Sequence, residues 1–387
     1  MRTRLALALP VIALTAACGS SSTSSTTTSA TATTVLPPGS GVTGSGVTTT
    51  TAAAGVTAGG ISADRCAANK KAGKITYLSG FDFAASASIV DVVVAKDKGY
   101  YDKMCLDVDL KSGFSTTDYP LIAANTAQFG SGGNYTELVQ QNKDGAHFVA
   151  LAVEGKTGID ALVVKDGINT LTDLKGKTIG VKGALPPGEI AMLLKAGLQP
   201  TDYKTVLLDG FDPIAQMQLP IDALPVFKSN EPHQLDAAGV KYKLFDPKAS
   251  GIPGSFGILY SNAKFVNEHP TAAQDFMRAT MKGLADAIAD PTAAAATSFK
   301  LITAGGNPNY LSDAGEQYRW GVEAKLVTDN TPAGEGIGLV HAADLQAEIN
   351  AYTAAGVFTT APSIAGTYDE SILAGVYGPD GKVIWPS

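Results

Sequence analysis

The sequence predicts an α/β protein of two lobes, each a mainly parallel sheet flanked by helices, with one lobe inserted into the other. Three observations predict it. From Lys74 onward, strand-like and helix-like segments alternate. A second such series starts near Asp160. The apolar run at 255–262 then reads as a strand of the first series resumed, followed by a long helix. The chain therefore passes between lobes twice, near 155–160 and 248–258, and two crossings make a hinge. Ligands of open α/β sheets bind at the carboxyl ends of the strands, so two such lobes enclose a cleft.

Ahead of the lobes, Arg2 and Arg4 precede an apolar run at 5–17 and then Cys18, which is the form of a secretory signal. Residues 1–17 are read as a lipoprotein signal peptide, with Cys18 as the lipidated first residue of the mature chain. The stretch 14-LTAAC-18 is similar to a lipobox, with Thr15 where that motif usually has Leu. A plain signal peptide cleaved near an Ala-x-Ala site is the alternative. Residues 18–60 carry no charged side chain and consist almost wholly of Ser, Thr, Ala, Gly, Val and Pro. Such a composition cannot bury enough apolar surface to offset its ordering entropy, so a disordered tether is expected. Export makes disulfides possible, and Cys66 and Cys105 are the pair left to form one; two buried free thiols are the other reading.

In the first lobe the expected elements are a strand at 74–80, a helix at 86–101, a strand at 106–113, a helix at 116–127, the stretch 128–133, a helix at 134–145 and a strand at 147–155. In the second they are strands at 160–165 and 178–183, a helix at 189–197, a strand at 204–210, a helix at 212–218, and strands at 221–227 and 240–246. The long helix places Ala273, Phe276, Met277, Thr280, Leu284 and Ile288 on one face, with Pro270 near its start and Asp290-Pro291 as its stop. The last hundred residues read as mostly helical.

Composition and motifs exclude several function classes. The net charge of −7 comes from interspersed acids and bases, with no basic patch for nucleic acid or an anionic membrane. Four scattered histidines (His147, His233, His269, His341) show no metal-ligand spacing. G-x-S-x-G, H-E-x-x-H and P-loop motifs are absent. No cofactor and no metal are expected.

The segments 96-KDKGYYDKMCLDVDL-110, 171-LTDLKGKTIGV-181, 229-SNEP-232 with 239-GVKYKLFDP-247, and 260–291 together resemble the ABC-transporter solute-binding proteins of the nitrate, sulfonate and thiamine-pyrimidine-precursor group. The resemblance spans about 74–300. It implies a type II periplasmic-binding-protein-like fold, with lobe one at 61–157 and 256–387 and lobe two at 158–255. It also implies a monomer on the outer face of a bacterial membrane, held there only by its lipid, with an ABC permease and ATPase subunits as partners. The Asn-Glu-Pro element is similar to members that bind pyrimidine precursors or riboflavin-like compounds. An alkanesulfonate, taurine or nitrate binder is the alternative in the class. A pyrimidine-forming enzyme of this fold, with His233 as its candidate residue, and a sensor or adhesin without a transporter are the alternatives outside it.

The loop 183-GALPPGE-189 argues against an oxyanion. A strand feeding a helix N-terminus is a ready anion site, yet two prolines remove donors, no hydroxyl is present, and Glu189 adds negative charge. Gly183 and Glu189 are still placed at the cleft, with first-turn capping as the other role of Glu189. Asn230 and Glu231 suit the hydrogen-bonding edge of a heteroaromatic ring. Phe81, Phe83, Tyr135, Phe211, Phe227 and Phe256 supply rings, some for stacking on ligand and others for packing the lobes. Asp82, Ser131 and Asn134 are polar candidates, with helix capping as the other role of Asp82 and Asn134.

Overall fold

The structure, a computed structural model, describes residues 55–57, 60–306 and 311–386. The signal peptide, Cys18 and most of the expected tether lie outside the described residues. The tether's expected end at residue 60 is corrected, because Val56–Thr57 (β1) pairs antiparallel with Gly60–Ile61 (β2). Val56 is buried, so this stretch does have an apolar anchor. Helix Ala63–Lys70 follows, capped by Ser62. Cys66 and Cys105 are bridged, with Cα atoms 5.3 Å apart; closing a loop of that size contributes about 4 kcal/mol. Beside the bridge, Arg65 Nε and Asn69 Nδ2 both donate to Asp275 Oδ2 at 2.7 Å. Together these tie the first helix to the long helix Pro270–Ala289.

Two five-stranded sheets carry the lobes. The first contains Lys74–Leu78 (β3), Asp107–Lys111 (β4), Phe129–Gly132 (β5), Phe148–Gly155 (β6) and Phe256–Asn262 (β12), in the order β4-β3-β5-β12-β6. The second contains Asp160–Val164 (β7), Thr178–Val181 (β8), Lys204–Leu207 (β9), Ala223–Phe227 (β10) and Lys243–Phe245 (β11), in the order β11-β7-β10-β8-β9.

Four of the five strands in each sheet run the same way, as expected, but the strand pairing is mixed. In the first sheet β3 pairs parallel with β4 and β5, while β12 pairs antiparallel with β5 and β6. In the second, β8 pairs parallel with β9 and β10, while β7 pairs antiparallel with β10 and β11. Hydrogen bonding is thus mixed, yet only β12 and β7 run against their four neighbours. The cause is the pair of crossings. A strand reached through a helix starts at the far side and ends at the cleft, whereas β7 and β12 each come straight from the other lobe and start at the cleft.

The first lobe's core forms where helix Pro270–Ala289 crosses helix Val90–Asp97. Gly283 permits the approach, since a Cβ there would lie 2.2 Å from the Asp91 carbonyl oxygen. Phe276 stacks on Phe129 at 3.8 Å. Helix Asp313–Asp329 runs from this core to the cleft. Among the described residues no helix is long and apolar enough to cross a membrane.

Candidate functional site

Two adjoining cavities open between the lobes at the cleft ends of the strands, with volumes of about 220 Å³ and 570 Å³. Their shared wall includes Phe81, Lys182, Pro186, Phe211 and Phe227. Phe81 follows β3, Phe114 follows β4 and Phe211 follows β9, so three strand ends deliver rings to one place. Phe211 stacks on Phe114 at 4.9 Å, tilted by 6°, and meets Phe81 edge-on at 5.2 Å. Lys182 Nζ lies 5.6 Å from the Phe211 ring, and the Arg319 guanidinium 5.7 Å from the Phe81 ring. This cluster brings the two lobes into contact and gives the smaller cavity an aromatic edge.

Both cations lining the smaller cavity are already paired. Lys182 Nζ donates to Glu231 Oε1 at 2.7 Å, and Glu231 Oε2 accepts from the Phe227 amide at 2.9 Å. Burial pushes the Glu231 carboxyl up, but the Lys182 ammonium and the Phe227 amide outweigh it and hold the group below its usual range. Arg319 Nη1 donates to both oxygens of Glu316 at 2.5 Å, and its Nη2 donates to Asn230 Oδ1 at 2.6 Å. Glu323 accepts from Ser229 Oγ through Oε1, and from Ser86 Oγ and the Ala87 amide through Oε2, all at 2.7 Å; burial raises its pKa. Helix Asp313–Asp329 of the first lobe therefore holds the end of β10 in the second lobe through two side-chain hydrogen bonds.

In the loop between β8 and helix Pro187–Lys195, Pro186 and Pro187 carry no amide donor and residues 183–189 carry no hydroxyl side chain. Pro186 stands at the N-cap position with no side-chain cap. Glu189 is fully buried and neither carboxyl oxygen has a hydrogen-bond partner among the described residues; burial first, then nearby Asp160, pushes its pKa well above the usual range. Asp160, reached by Asn134 Nδ2 at 3.5 Å, is itself pushed up to about 7 by burial and by Glu137. Both carboxyls on this side of the cleft are thus shifted toward the neutral form.

Of the residues expected at the site, Phe81, Ser131, Phe211, Phe227, Asn230, Glu231 and Phe256 line the smaller cavity, and Asn134 lines the larger. Asn134 also caps helix Tyr135–Lys143 by accepting from the Glu137 amide. Five others line neither cavity. Tyr135 is fully buried, its hydroxyl bonded to Thr367, because the first residue of that helix faces the core. Asp82 (φ 47°) accepts from the amide of Phe83 and serves the turn; Phe83 follows it away from the cavity. Gly183 (φ 116°) closes a turn in which a Cβ would press on Thr116 of the facing lobe at 3.3 Å. Glu189 points into the protein rather than the cleft. His233 also lines neither cavity and stacks on Tyr318 at 3.9 Å.

Sequence reasoning missed Phe114, Lys182, Arg319 and Glu323. Phe114 obeys the same strand-end rule that selected Phe81. Arg319 and Glu323 had a fainter signal. Glu316, Arg319 and Glu323 fall at i, i+3 and i+7, one charged stripe on an otherwise ordinary helix, and all three are buried.

A family model described as NMT1/THI5 like matches residues 86–294, more than half of the chain. The riboflavin-binding protein RibY of Chloroflexus aurantiacus is 32% identical over 147 residues, covering 34% of this chain and 38% of that protein. The chain thus spans less than half the length of the curated relatives it matches. Among solved structures, the alkanesulfonate-binding protein SsuA from Xanthomonas axonopodis pv. citri, bound to MOPS, superposes with a TM-score of 0.55 at 15% identity, covering 76% of this chain and 97% of that one. The desulfurization enzyme DSZB superposes with a TM-score of 0.51 at 13% identity, covering 78% of this chain and 98% of that one. At these identities the structural likenesses establish the two-lobed periplasmic-binding-protein fold.

Proposed function

The chain belongs to the NMT1/THI5-like family, and on that premise we propose that it is an extracytoplasmic solute-binding protein. Its lobes close on a small, flat, heteroaromatic molecule of the pyrimidine-precursor or riboflavin-like kind, which it hands to the permease and ATPase subunits of an ABC importer. One observation carries this reading: the smaller cavity is walled by Phe81, Phe211, Phe227 and Phe256, and both cations in its lining are neutralised by carboxylates of the same chain. Rings offer faces for stacking, and the Asn230 Nδ2 group, whose oxygen alone is engaged, offers donors to a ring edge. The riboflavin-binding relative agrees with such a guest. A sulfonate or nitrate would need an unpaired cation or free amides, and neither Lys182 nor the Pro186-Pro187 loop supplies them.

No catalysed reaction belongs to this reading, since His233, the residue on which an enzyme would rest, stands outside both cavities. We further propose attachment to the membrane through lipid on Cys18 and action as a monomer.

Mass spectrometry of whatever co-purifies with the exported protein, followed by a thermal-shift panel, tests the reading. Hydroxymethylpyrimidine derivatives or riboflavin should raise the melting temperature; a ligand at 100 times its dissociation constant adds about 2.7 kcal/mol. A shift with taurine or nitrate alone would overturn it.

A further inference from the structure

The larger cavity has more than twice the volume of the smaller and a different chemistry. It lies against helix Tyr135–Lys143 and the turn that follows. There the side chains of Gln140, Gln141 and Asp144 line it without making a hydrogen bond among the described residues. Glu137 Oε1 accepts from the Tyr119 hydroxyl at 2.8 Å, which leaves Oε2 with no protein donor. Asp160 adds a third carboxyl. The one cation in the lining, Lys182, is already held by Glu231.

From this geometry we infer that the larger cavity is a second subsite, which takes a hydroxyl- or amine-bearing, non-anionic arm of the ligand whose ring fills the smaller cavity. The inference rests on the reading above. Glu137 Oε2, the Asp144 carboxyl and the side-chain oxygens of Gln140 and Gln141 offer acceptors along this wall, which suits an occupant that donates. An arm ending in phosphate or carboxylate would find Lys182, the cation of this lining, already held by Glu231, and its own charge would oppose ionisation of Glu137, Asp144 and Asp160. The shared Phe81, Phe211 and Phe227 wall makes one molecule able to reach both cavities.

Calorimetry on the full chain with two ring series tests this. The first is lumiflavin, riboflavin and riboflavin 5′-phosphate; the second is a 4-amino-2-methylpyrimidine bearing methyl, hydroxymethyl, aminomethyl or phosphomethyl at C5. Expected in at least one series is a gain of about tenfold in affinity on adding the hydroxyl or amine arm, lost again on phosphorylation. Gln141→Leu and Glu137→Gln should each cut that gain to about threefold or less while both still bind the bare ring. Equal affinity for bare and armed rings, or an undiminished gain in both variants, overturns the second subsite and leaves the ring reading standing. Failure of every ring in both series to bind overturns the two together.

Discussion

The two sides of the cleft treat charge in opposite ways. Around the smaller cavity each buried ion has its counterpart: Lys182 with Glu231, Arg319 with Glu316, and Glu323 with three donors. At the crossing, Glu189 has no partner and Asp160 only a distant amide. The difference teaches what each side can accept. A wall whose charges are mutually cancelled has little to offer a charged guest, because prying a pair apart exposes a buried ion. A wall of unpaired carboxyls must instead keep protons, or receive donors.

Breaking the pairing at Arg319 should have the largest effect. Arg319→Met strands Glu316, which is fully buried, and should cost about 3–5 kcal/mol in urea unfolding. Most of this should return in the double variant with Glu316→Gln. A cost under about 1 kcal/mol would mean that the ring side is not governed by its ion pairs.

The opposite sign is expected at the crossing. A carboxyl whose pKa is higher in the folded than in the unfolded state binds more protons when folded, so its contribution to stability is lost as pH rises. For Asp160 the window runs from the unfolded value of about 4 to about 7. Asp160→Asn and Glu189→Gln should therefore stabilise the protein at pH 8, on the order of 2 kcal/mol, and do little at pH 4. Thermal melts at both pH values check this, and destabilisation of both variants at pH 8 would refute unpaired carboxyls there.

A smaller effect sharpens the contrast. Glu231→Gln leaves Lys182 without its anion, so a thermal shift with taurine should appear that the parent lacks, while affinity for a flat ring falls about tenfold. Smallest is Asn230→Ala, which removes the acceptor from one Arg319 nitrogen and should lower unliganded stability by about 1 kcal/mol. A melt indistinguishable from the parent would detach Asn230 from the pairing network.

Much of this was legible where local rules operate. All six residues assigned to one face of the long helix pack against the core, five fully buried and Ile288 partly, because a period of 3.6 needs no knowledge of partners. Rings three or four places beyond a strand end reached the cleft for Phe81 and Phe211, since β-strands of a doubly flanked sheet end there. Phe83 and Tyr135 satisfied the same verbal rule and failed it in space. A positive φ at Asp82 turns the chain, and the helix start at Asn134 rotates the next side chain into the core. Arg319 and Glu323 were hidden because they come from a helix roughly 90 residues beyond the Asn-Glu-Pro element they hold, a distance over which no local pattern carries information.

What the sequence determined by itself was the rhythm of two α/β lobes, the two crossings, the cysteine pair and a loop with two prolines and no hydroxyl. These follow from periodicity and from residue chemistry at neighbouring positions, which act over a few residues of chain. Only the tertiary structure decided that β7 and β12 run against their sheets, that Lys182 and Arg319 are spent on carboxylates, and that Glu189 faces inward without a partner. Direction, pairing and burial depend on which distant segments meet, and that meeting is settled by packing rather than by sequence neighbourhood.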